Sequence, residues 1–530
     1  MQTQERDGFR SERGPTGGFR VVAAGNHLAT TAAMNVLREG GNSFDAAVAA
    51  AAVIAVVEPI TSQVGGDAFA ILKRKGGPVR AVNASGPAPM LADPTAFEGG
   101  APGTGLRSAS VPGAVSAWCH IASRYGSWPL ERLLGQAIEM CERGFVVSRH
   151  LAMVFERFEE QLRRFPSTVA AMMPEGKVPA TGDVLVQPDL GRTLRQLAKG
   201  GHEAFYRGEF AERLEAVSRR EGAWFRKEDL ASYSCEETAP VSIEYGPYTV
   251  HAQPPVSQGC ILLEELLILE AADFAGMDPA SPEAIDLMVR AKRLAFADRH
   301  RFIADPKFED CRIEEMLSRE NVERRVKELL SGSAQREVAE EGRHIADTTC
   351  LAVADGAGNE ITFIQSVSAY WGSQVVVPGT GVLLNNRMNG FSRDPAALNC
   401  MRPGKRTVHT LMTYFVERAG KTRLFAASMG GNFQPQTSLQ FLNCVLNHGM
   451  DIQQAIDFPR WGHNDSPERL FMESRFPPAT REAVAAKGYP VDAIPAWGSG
   501  TRSVAIELNR DGRTYSAASD QRWDGSSAAY

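Results

Sequence analysis

Several signatures of common enzyme classes are missing from this 530-residue sequence. It contains no G-x-S-x-G, no H-E-x-x-H and no G-x-x-x-x-G-K-[ST]. α/β-type serine hydrolases, zincin proteases and P-loop enzymes therefore lack their local signatures here. The ten histidines show no metal-ligand spacing. The sequence implies neither a metal nor an organic cofactor.

Cysteine pairs and long apolar runs are also missing. The eight cysteines lie far apart without a C-x-x-C pair, which indicates free thiols in a reducing environment. Residues 1–20 are rich in Arg, Glu and Gly and have no apolar core typical of a signal peptide. The longest early apolar run, residues 46–57, is too short to span a bilayer. We therefore expect a soluble, cytoplasmic protein that does not associate with membranes.

Charge of one sign is not in large excess. Lys and Arg number 57 and Asp and Glu 63, which gives a net charge of −6 without a basic stripe or an acidic tail. This pattern argues against nucleic acid as a partner and favours a small-molecule substrate. No Pro/Ser linker or low-complexity segment divides the chain, so we expect one domain over residues 1–530.

Two short segments carry the chemistry that is present. Asp347-Thr348-Thr349-Cys350 opens an alternating run, and Met429-Gly430-Gly431 follows downstream. A cut before Thr348 would place a hydroxyl nucleophile and a free α-amine, with a pKa near ~7.7–8, on one residue. The backbone N–H groups of Gly430 and Gly431 would then stabilise the oxyanion. Each segment taken alone is more typical of an ordinary strand or turn than of a catalytic site.

The residues after Thr348 predict a hairpin. Side chains alternate through residues 348–354, residues 355–359 form a turn, and residues 360–368 are extended again. A loop centred on Ala357 pairs Thr348 with Ser366, to within one step of register. The Ser366 hydroxyl could therefore hold the threonine in its attacking rotamer.

The glycine pair is predicted to lie in a strand-to-helix turn. Residues 413–416 and 424–428 form an apolar strand pair, and the second strand runs directly into Gly430-Gly431. A helical pattern begins after Pro435, with Leu439, Leu442 and Val445 at intervals of three residues.

Further segments resemble the gamma-glutamyltranspeptidase family in sequence order over nearly the whole chain. Together these motifs are specific, although none of them is so alone. They include Gly40-Gly41-Asn42-Ser43-Phe44-Asp45, Val111-Pro112-Gly113, Pro254-Pro255-Val256-Ser257-Gln258-Gly259, Ala295-Phe296-Ala297-Asp298-Arg299, Thr348-Thr349, Leu383-Leu384-Asn385-Asn386, Pro403-Gly404-Lys405-Arg406 and Gly430-Gly431.

The resemblance implies a self-cleaving N-terminal-nucleophile (Ntn) hydrolase with an α+β, four-layer α-β-β-α fold. By this analogy the precursor is cut between Asp347 and Thr348 into a large subunit, 1–347, and a small subunit, 348–530. The two form an intertwined heterodimer that can associate further. The family's supporting hydroxyl corresponds to Ser366, which agrees with the hairpin count.

The substrate-binding positions depart from the family pattern. Ser85 replaces the arginine that grips the substrate α-carboxylate, and Gly390 replaces the aspartate for the α-amino group. Near Asn386, Arg387 replaces a Gln or Glu and could bind a substrate carboxylate or form a structural ion pair. The remaining departures at expected substrate-binding positions are Ser368, His409 and Thr410. His409 could also be a satisfied core histidine.

The sequence therefore favours a threonine amide hydrolase or acyltransferase acting on γ-glutamyl or related small carboxylated amides, with weak or absent turnover of glutathione. An acylase acting on a non-glutamyl amide is an alternative. The hypothesis from another class is an unprocessed, inactive relative that serves as a binding protein. In that case Thr348 would remain internal to the chain.

Overall fold

The computed structural model describes residues 13–97, 102–331 and 348–530. The strands in chain order are β1 (Thr16–Gly18), β2 (Val21–Ala24), β3 (Asp67–Lys73), β4 (Val79–Ala84), β5 (Phe145–Val146), β6 (Val184–Leu185), β7 (Glu236–Thr238), β8 (Val241–Tyr245), β9 (Tyr248–Ala252), β10 (Thr349–Ala354), β11 (Glu360–Ser366), β12 (Thr413–Arg418), β13 (Lys421–Met429), β14 (Trp461–Asp465), β15 (Glu468–Glu473), β16 (Val491–Ile494), β17 (Arg502–Leu508), β18 (Tyr515–Ser519) and β19 (Ser526–Ala529). The helices are α1 (His27–Arg38), α2 (Ser43–Val57), α3 (Ala114–Arg124), α4 (Leu130–Arg143), α5 (Arg149–Leu162), α6 (Pro166–Met172), α7 (Pro188–Tyr206), α8 (Glu209–Arg220), α9 (Lys227–Ala231), α10 (Gly259–Ala271), α11 (Pro282–Phe302), α12 (Ile313–Met316), α13 (Arg319–Ser331), α14 (Phe433–Leu442), α15 (Ile452–Asp457) and α16 (Pro478–Ala486).

Two seven-stranded sheets pack face to face between layers of helices. Sheet I has the order β19-β2-β10-β11-β3-β4-β7, and sheet II has the order β1-β18-β17-β13-β12-β9-β8. Their inner faces meet in an apolar layer that includes Phe69, Ile364, Phe425 and Val504. Helices α1 and α2 cover sheet I, and α10, α11 and α14 cover sheet II. The predicted α+β four-layer α-β-β-α sandwich is confirmed.

Both sheets combine strands from before and after residue 347. In sheet I, β10 and β11 lie between β2 and β3; in sheet II, β12 pairs with β9 and β18 pairs with β1. Neither sheet could be completed by one part of the chain alone. The predicted cut next to Asp347 falls outside the described residues, and the single-domain boundaries remain a prediction.

Helix α2 supports the strands that follow Thr348. Every residue from Ser43 to Val57 is buried, as its Ala/Val-rich composition predicts. Asn42 accepts hydrogen bonds from the N–H groups of Phe44 and Asp45, and the Asp45 carboxylate accepts from the N–H of Asn42. This capping box holds the start of a helix that packs against β10 and β11.

The β10–β11 hairpin has the predicted register. Thr349 pairs with Gln365, and the register continues without a shift to the pair Ala354 and Glu360. At the turn, the Asp355 carboxylate accepts hydrogen bonds from the N–H groups of Ala357 and Asn359. A side chain that bonds to its own turn in this way favours a tight connection.

The β13–α14 connection also matches the expected order of elements, but the helix begins earlier than the pattern indicates. Helix α14 starts at Phe433, two residues before Pro435. Proline is tolerated in a first helical turn because its missing N–H has no intrahelical acceptor there. Within the described ranges, no helix is both long and apolar enough to cross a bilayer.

Candidate active site

Thr348 lies immediately before β10 and begins a row of three polar residues across sheet I. The hairpin register places it opposite Ser366, and Ser366 pairs with Asp67 of β3. Directly paired residues in an antiparallel sheet point to the same face. Cys350, two residues after Thr348, lies in the layer between the sheets. The three polar side chains therefore face sheet II.

Local hydrogen bonds hold the backbone around this row. The Ser366 Oγ accepts a hydrogen bond from the N–H of Ser368 at 2.8 Å. Ser368 has a φ of 86°, which a non-glycine residue adopts only where its surroundings demand it. The carbonyl oxygen of Thr348 accepts from Nη2 of Arg502 at 3.3 Å. Thr348 itself is 1% exposed.

Gly430 and Gly431 form the turn between β13 and α14. Their φ angles are 120° and 58°, in the region that favours glycine. A Cβ added to Gly430 would lie 2.7 Å from Cγ2 of Thr501, so a side chain has no room there. The carbonyl oxygens of Gly430 and Gly431 accept from the N–H groups of Phe433 and Gln434 and so begin the helix.

Asp67 joins Arg387 and His409 in a buried charged cluster. Oδ2 of Asp67 contacts Nε of Arg387 at 3.2 Å and Nε2 of His409 at 3.1 Å. Oδ1 accepts from the N–H of Gly86 at 3.0 Å. All three members of the cluster are 3% exposed or less. The arrangement corresponds to the structural ion pair that the sequence left open for Arg387.

Burial and the neighbouring guanidinium keep His409 neutral near pH 7. Burial, with a further contribution from Arg387, lowers the pKa of His409 to about 4. Burial also lowers the pKa of Arg387, while Asp67 opposes this shift. A neutral His409 donates from Nε2 to the Asp67 carboxylate. Its Nδ1 has no hydrogen-bond partner among the described residues.

We expect His409 to make the protein less stable in acid. The unfolded chain protonates this histidine near pH 6.5 and the folded chain near pH 4, so protons favour unfolding between these values. Relative to a His409→Gln variant, wild type should lose at most about 3 kcal/mol as the pH falls from 6.5 to 4. The measurement is the difference between the two melting temperatures across this range.

The comparison with the variant is needed because other groups titrate as well. Burial raises the pKa of Glu265 to about 8, which favours the folded state as the pH falls and is common to both proteins. A gap between the two melting temperatures that stays constant from pH 7 to pH 4 would contradict the assignment to His409.

Ser85, Asn386 and Thr410, which are also predicted to bind substrate, form hydrogen bonds to other groups of the protein. The Ser85 hydroxyl donates to Oδ1 of Asn83 at 2.6 Å. Asn386 accepts from the N–H of Ala369 and donates to the carbonyl oxygen of Gly103. The carbonyl oxygen of Thr410, which is half-buried, accepts from Nε2 of Gln258 at 2.7 Å. Their proposed contacts with substrate remain predictions.

Sequence reasoning did not single out three residues at this site: Asp67, Gln258 and Arg502. Asp67 and Arg502 are charged residues at the start of largely apolar strands, which was an available signal. Nε2 of Gln258 donates to the carbonyl oxygens of Thr410 and Gly431, the second at 3.0 Å. Gln258 therefore connects the glycine turn to the segment after His409.

The cysteines of the described part of the chain are free thiols. All eight cysteines lie within it, and none of them forms a disulfide. Cys350 is buried and behaves as a small apolar residue, with Sγ 3.6 Å from the carbonyl oxygen of Ala427. In the same ranges, no three His, Cys, Asp or Glu residues are grouped as metal ligands.

Comparison with known proteins identifies the family. The gamma-glutamyltranspeptidase family model matches residues 29–530. The chain is 34% identical over 519 residues to a glutathione hydrolase-like YwrD proenzyme of Bacillus subtilis (strain 168), covering 96% of this chain and 97% of the relative. It is 32% identical over 523 residues to the oxamate amidohydrolase proenzyme of Klebsiella pneumoniae, covering 96% and 98%.

A solved structure agrees with this assignment. The crystal structure of cephalosporin acylase from Bacillus halodurans superposes with a TM-score of 0.90 at 32% identity and covers 98% of both chains. The protein thus belongs to the gamma-glutamyltranspeptidase family and is an enzyme of the Ntn amide hydrolase and acyltransferase type.

Proposed function

We propose that the chain cuts itself between Asp347 and Thr348 and uses the new N-terminal threonine to hydrolyse small amides. One observation carries this proposal: Thr348 and the glycine turn lie at the same end of the sandwich. Arg502 is paired with Met429, the residue before Gly430, and its guanidinium reaches the carbonyl oxygen of Thr348. The relatives named as proenzymes support a processing step.

In the proposed reaction, Oγ of Thr348 attacks the substrate carbonyl carbon while the α-amine of Thr348 accepts the hydroxyl proton. The N–H groups of Gly430 and Gly431 stabilise the oxyanion, and Ser366 orients the nucleophile. The amine then passes its proton to the leaving nitrogen as the C–N bond breaks. Water hydrolyses the resulting ester, which releases the acid and restores the threonine.

The interleaved sheets explain how two subunits could remain together after the cut. Strands β10 and β11 lie between β2 and β3 in sheet I, so separating the pieces would break ladders on both sides. Helix α2 from the large piece packs against β10 and β11 from the small piece. We therefore propose a stable heterodimer of residues 1–347 and 348–530.

For the acyl group, we propose a small carboxylated amide other than a simple γ-glutamyl compound. Ser85 and Gly390 carry no charge where glutamyl recognition needs one, and Arg387 is already paired with Asp67. Loss of a buried charged contact typically costs about 2–5 kcal/mol. Glutathione should therefore be cleaved slowly or not at all.

An acylase acting on a non-glutamyl amide is the second candidate. The positions with Ser85 and Gly390 leave the pocket without the charges that select an α-amino acid. The similarity to an acylase and to an oxamate amidohydrolase supports the same direction. In either candidate, an acceptor amine that replaces water would receive the acyl group by transfer.

The test combines end-group sequencing with a substrate panel. Purified protein should show a second N-terminus at Thr348 and fragments of about two-thirds and one-third of the mass. The panel should contain glutathione, a γ-glutamyl anilide, oxamate and N-acyl amides of increasing size. An intact chain with full activity would refute the threonine mechanism, and an intact inactive chain would favour a binding protein. Rapid glutathione cleavage would refute the substrate proposal alone.

Gln258 provides a prediction about the glycine turn. In a Gln258→Leu variant, the carbonyl oxygens of Gly431 and Thr410 lose the donor that connects them. We expect kcat to fall about tenfold to hundredfold with a smaller change in KM, because a displaced oxyanion donor affects the transition state most. Steady-state kinetics on the best amide of the panel measure both constants.

Gln253 is the matched control for this experiment. It is equally buried and lies five residues earlier, but its Nε2 contacts Oγ1 of Thr413 at 3.4 Å and not the glycine turn. A Gln253→Leu variant should keep its kcat within a few-fold of wild type. Equal losses of kcat in the two variants would indicate general destabilisation and not a role at the turn.

A further inference from the structure

Arg502 reaches from sheet II to the residue proposed as nucleophile. It is the first residue of β17 and is paired with Met429 of β13. Val504, two residues further along, lies in the apolar layer between the sheets, so Arg502 points into the same layer. The guanidinium is buried, and its Nη2 donates to the carbonyl oxygen of Thr348 at 3.3 Å.

An aromatic ring holds the guanidinium in place. Cζ of Arg502 lies 3.8 Å from the ring centroid of Trp523, a stacking arrangement in which the planar cation is attracted to the ring face. The imidazole of His150 packs on the same tryptophan. Burial, with a contribution from Arg502, lowers the pKa of His150 to about 3, so the histidine is neutral.

The contact with the carbonyl oxygen also determines how near the guanidinium lies to the α-nitrogen. Standard bond lengths keep the nitrogen and carbonyl oxygen of one residue within about 4 Å of each other. The α-nitrogen of Thr348 therefore lies within about 7 Å of Nη2 of Arg502. Any amine formed there by chain cleavage shares a buried site with a fixed positive charge.

We propose that Arg502 is a positioning residue that fixes the head of β10 and, through its permanent charge, keeps the α-amine of Thr348 in the neutral form that can act as a base. This inference rests on the proposed function, since the amine exists only after the cut. It assigns a task to a residue that the proposed reaction does not otherwise use.

Two carboxylates near the head of β10 oppose this effect. Glu58 accepts hydrogen bonds from Asn26 and Thr61, and Asp520 is paired with Arg460 at 2.9 Å. The hydrogen bonds to Glu58 and the counter-ion of Asp520 reduce the influence of these carboxylates on an amine at Thr348.

Cys350, two residues from Thr348, is affected by the same three charges. Burial raises the pKa of its thiol far above the usual range, and among the nearby charges Arg502 acts most strongly, ahead of Glu58 and Asp520. The thiol is therefore neutral and adds no charge to the site.

The cluster two strands away from Thr348 contributes little net charge. Asp67 is paired with Arg387, and His409 is neutral. The nearer side chains on the paired strands, Ser366 and Met429, are uncharged. Arg502, by contrast, carries a charge and contacts Thr348 directly.

The expected shift follows from Coulomb's law. A unit positive charge at about 7 Å lowers the pKa of an amine by roughly 0.4 units in a water-like medium and by about 1.7 units at an effective dielectric constant near 20. Burial of the amine acts in the same direction, because it disfavours the charged form. With the larger of these decreases, the amine is largely neutral at pH 7.

The first test is the pH dependence of kcat/KM for two Arg502 variants. Arg502→Gln removes the charge but keeps hydrogen-bond donors, and the acidic limb should move up by about one pH unit. At alkaline pH this variant should recover activity to within a few-fold of wild type. Arg502→Lys keeps the charge, so its acidic limb should stay close to that of wild type. An unmoved limb in Arg502→Gln, or an equal shift in both variants, would overturn the proposal.

The second test needs no variant and stands even if the substituted proteins do not fold. Wild-type protein is treated with cyanate at a series of pH values beside a free threonyl peptide, and carbamylation of the peptide beginning at Thr348 is followed by mass spectrometry. The protein amine should titrate below the free peptide, which has a pKa near ~7.7–8. If the midpoint of carbamylation is equal to or higher than that of the free peptide, the role of Arg502 is refuted but the proposed cut is not. If no peptide beginning at Thr348 is found, the proposed cut is refuted as well.

Discussion

A Thr348→Ala variant should remain one uncut chain and lose amide hydrolase activity by about 10⁴-fold or more. Alanine removes the only hydroxyl that could attack both the preceding peptide bond and the substrate, and loss of a nucleophile typically has an effect of this size. The fold should survive, because the residue lies before β10 and its carbonyl contact with Arg502 involves the backbone. A denaturing gel and the initial rate on the best amide measure both effects.

The neighbouring threonine is the control for this variant. Thr349 is also buried, but it alternates with Thr348 and so faces the helix layer. Thr349→Val preserves its shape and should be processed and active like wild type. Thr348→Ser keeps a hydroxyl and should retain processing with reduced activity. If Thr348→Ala is cut or active, the scissile bond or the nucleophile lies elsewhere.

Replacing Arg387 with leucine should lower the free energy of unfolding by about 3–5 kcal/mol. The substitution leaves the Asp67 carboxylate buried without its counter-ion, and an uncompensated charge in the interior is costly. The remaining contacts to Asp67, from the N–H of Gly86 and from His409, cannot replace a full positive charge. Chemical denaturation of the wild-type and variant proteins measures the difference.

A double-mutant cycle separates this ion pair from a role in substrate binding. Asp67→Asn combined with Arg387→Leu removes both charges, and the double variant should be more stable than Arg387→Leu alone. If Arg387 instead binds a substrate carboxylate, Arg387→Leu should leave stability within about 1 kcal/mol of wild type. It would then raise KM for carboxylated amides selectively.

The most local features of the site could be predicted from the sequence. The register between Thr348 and Ser366 follows from the two-residue period of a strand and from the turn at Asp355, and the observed pairing has this register. The strand-to-helix position of Gly430 and Gly431 also follows from short-range pattern. The pattern predicts the start of α14 three residues late, because it treats Pro435 as a boundary, whereas proline is tolerated in the first helical turn.

The roles of the polar residues could not be read from local pattern. The sequence pattern allows two interpretations of Arg387, because its partner, Asp67, lies 320 positions away in the chain. Contacts of Ser85 and Asn386 with the substrate remain predictions, and the side chains of both residues bond to neighbouring protein groups. A cytoplasmic location remains a prediction from the N-terminal composition.

The hairpin that places Thr348 opposite Ser366, the buried helix α2 and the glycine turn all follow from local sequence, since each depends on residues close together in the chain. The charges that meet at the site, in contrast, are brought together by long-range packing. Arg502 contacts a residue 154 positions earlier, and Gln258 contacts one 173 positions later. Such contacts depend on how the two sheets stack and which strands become neighbours, and no local periodicity encodes that choice.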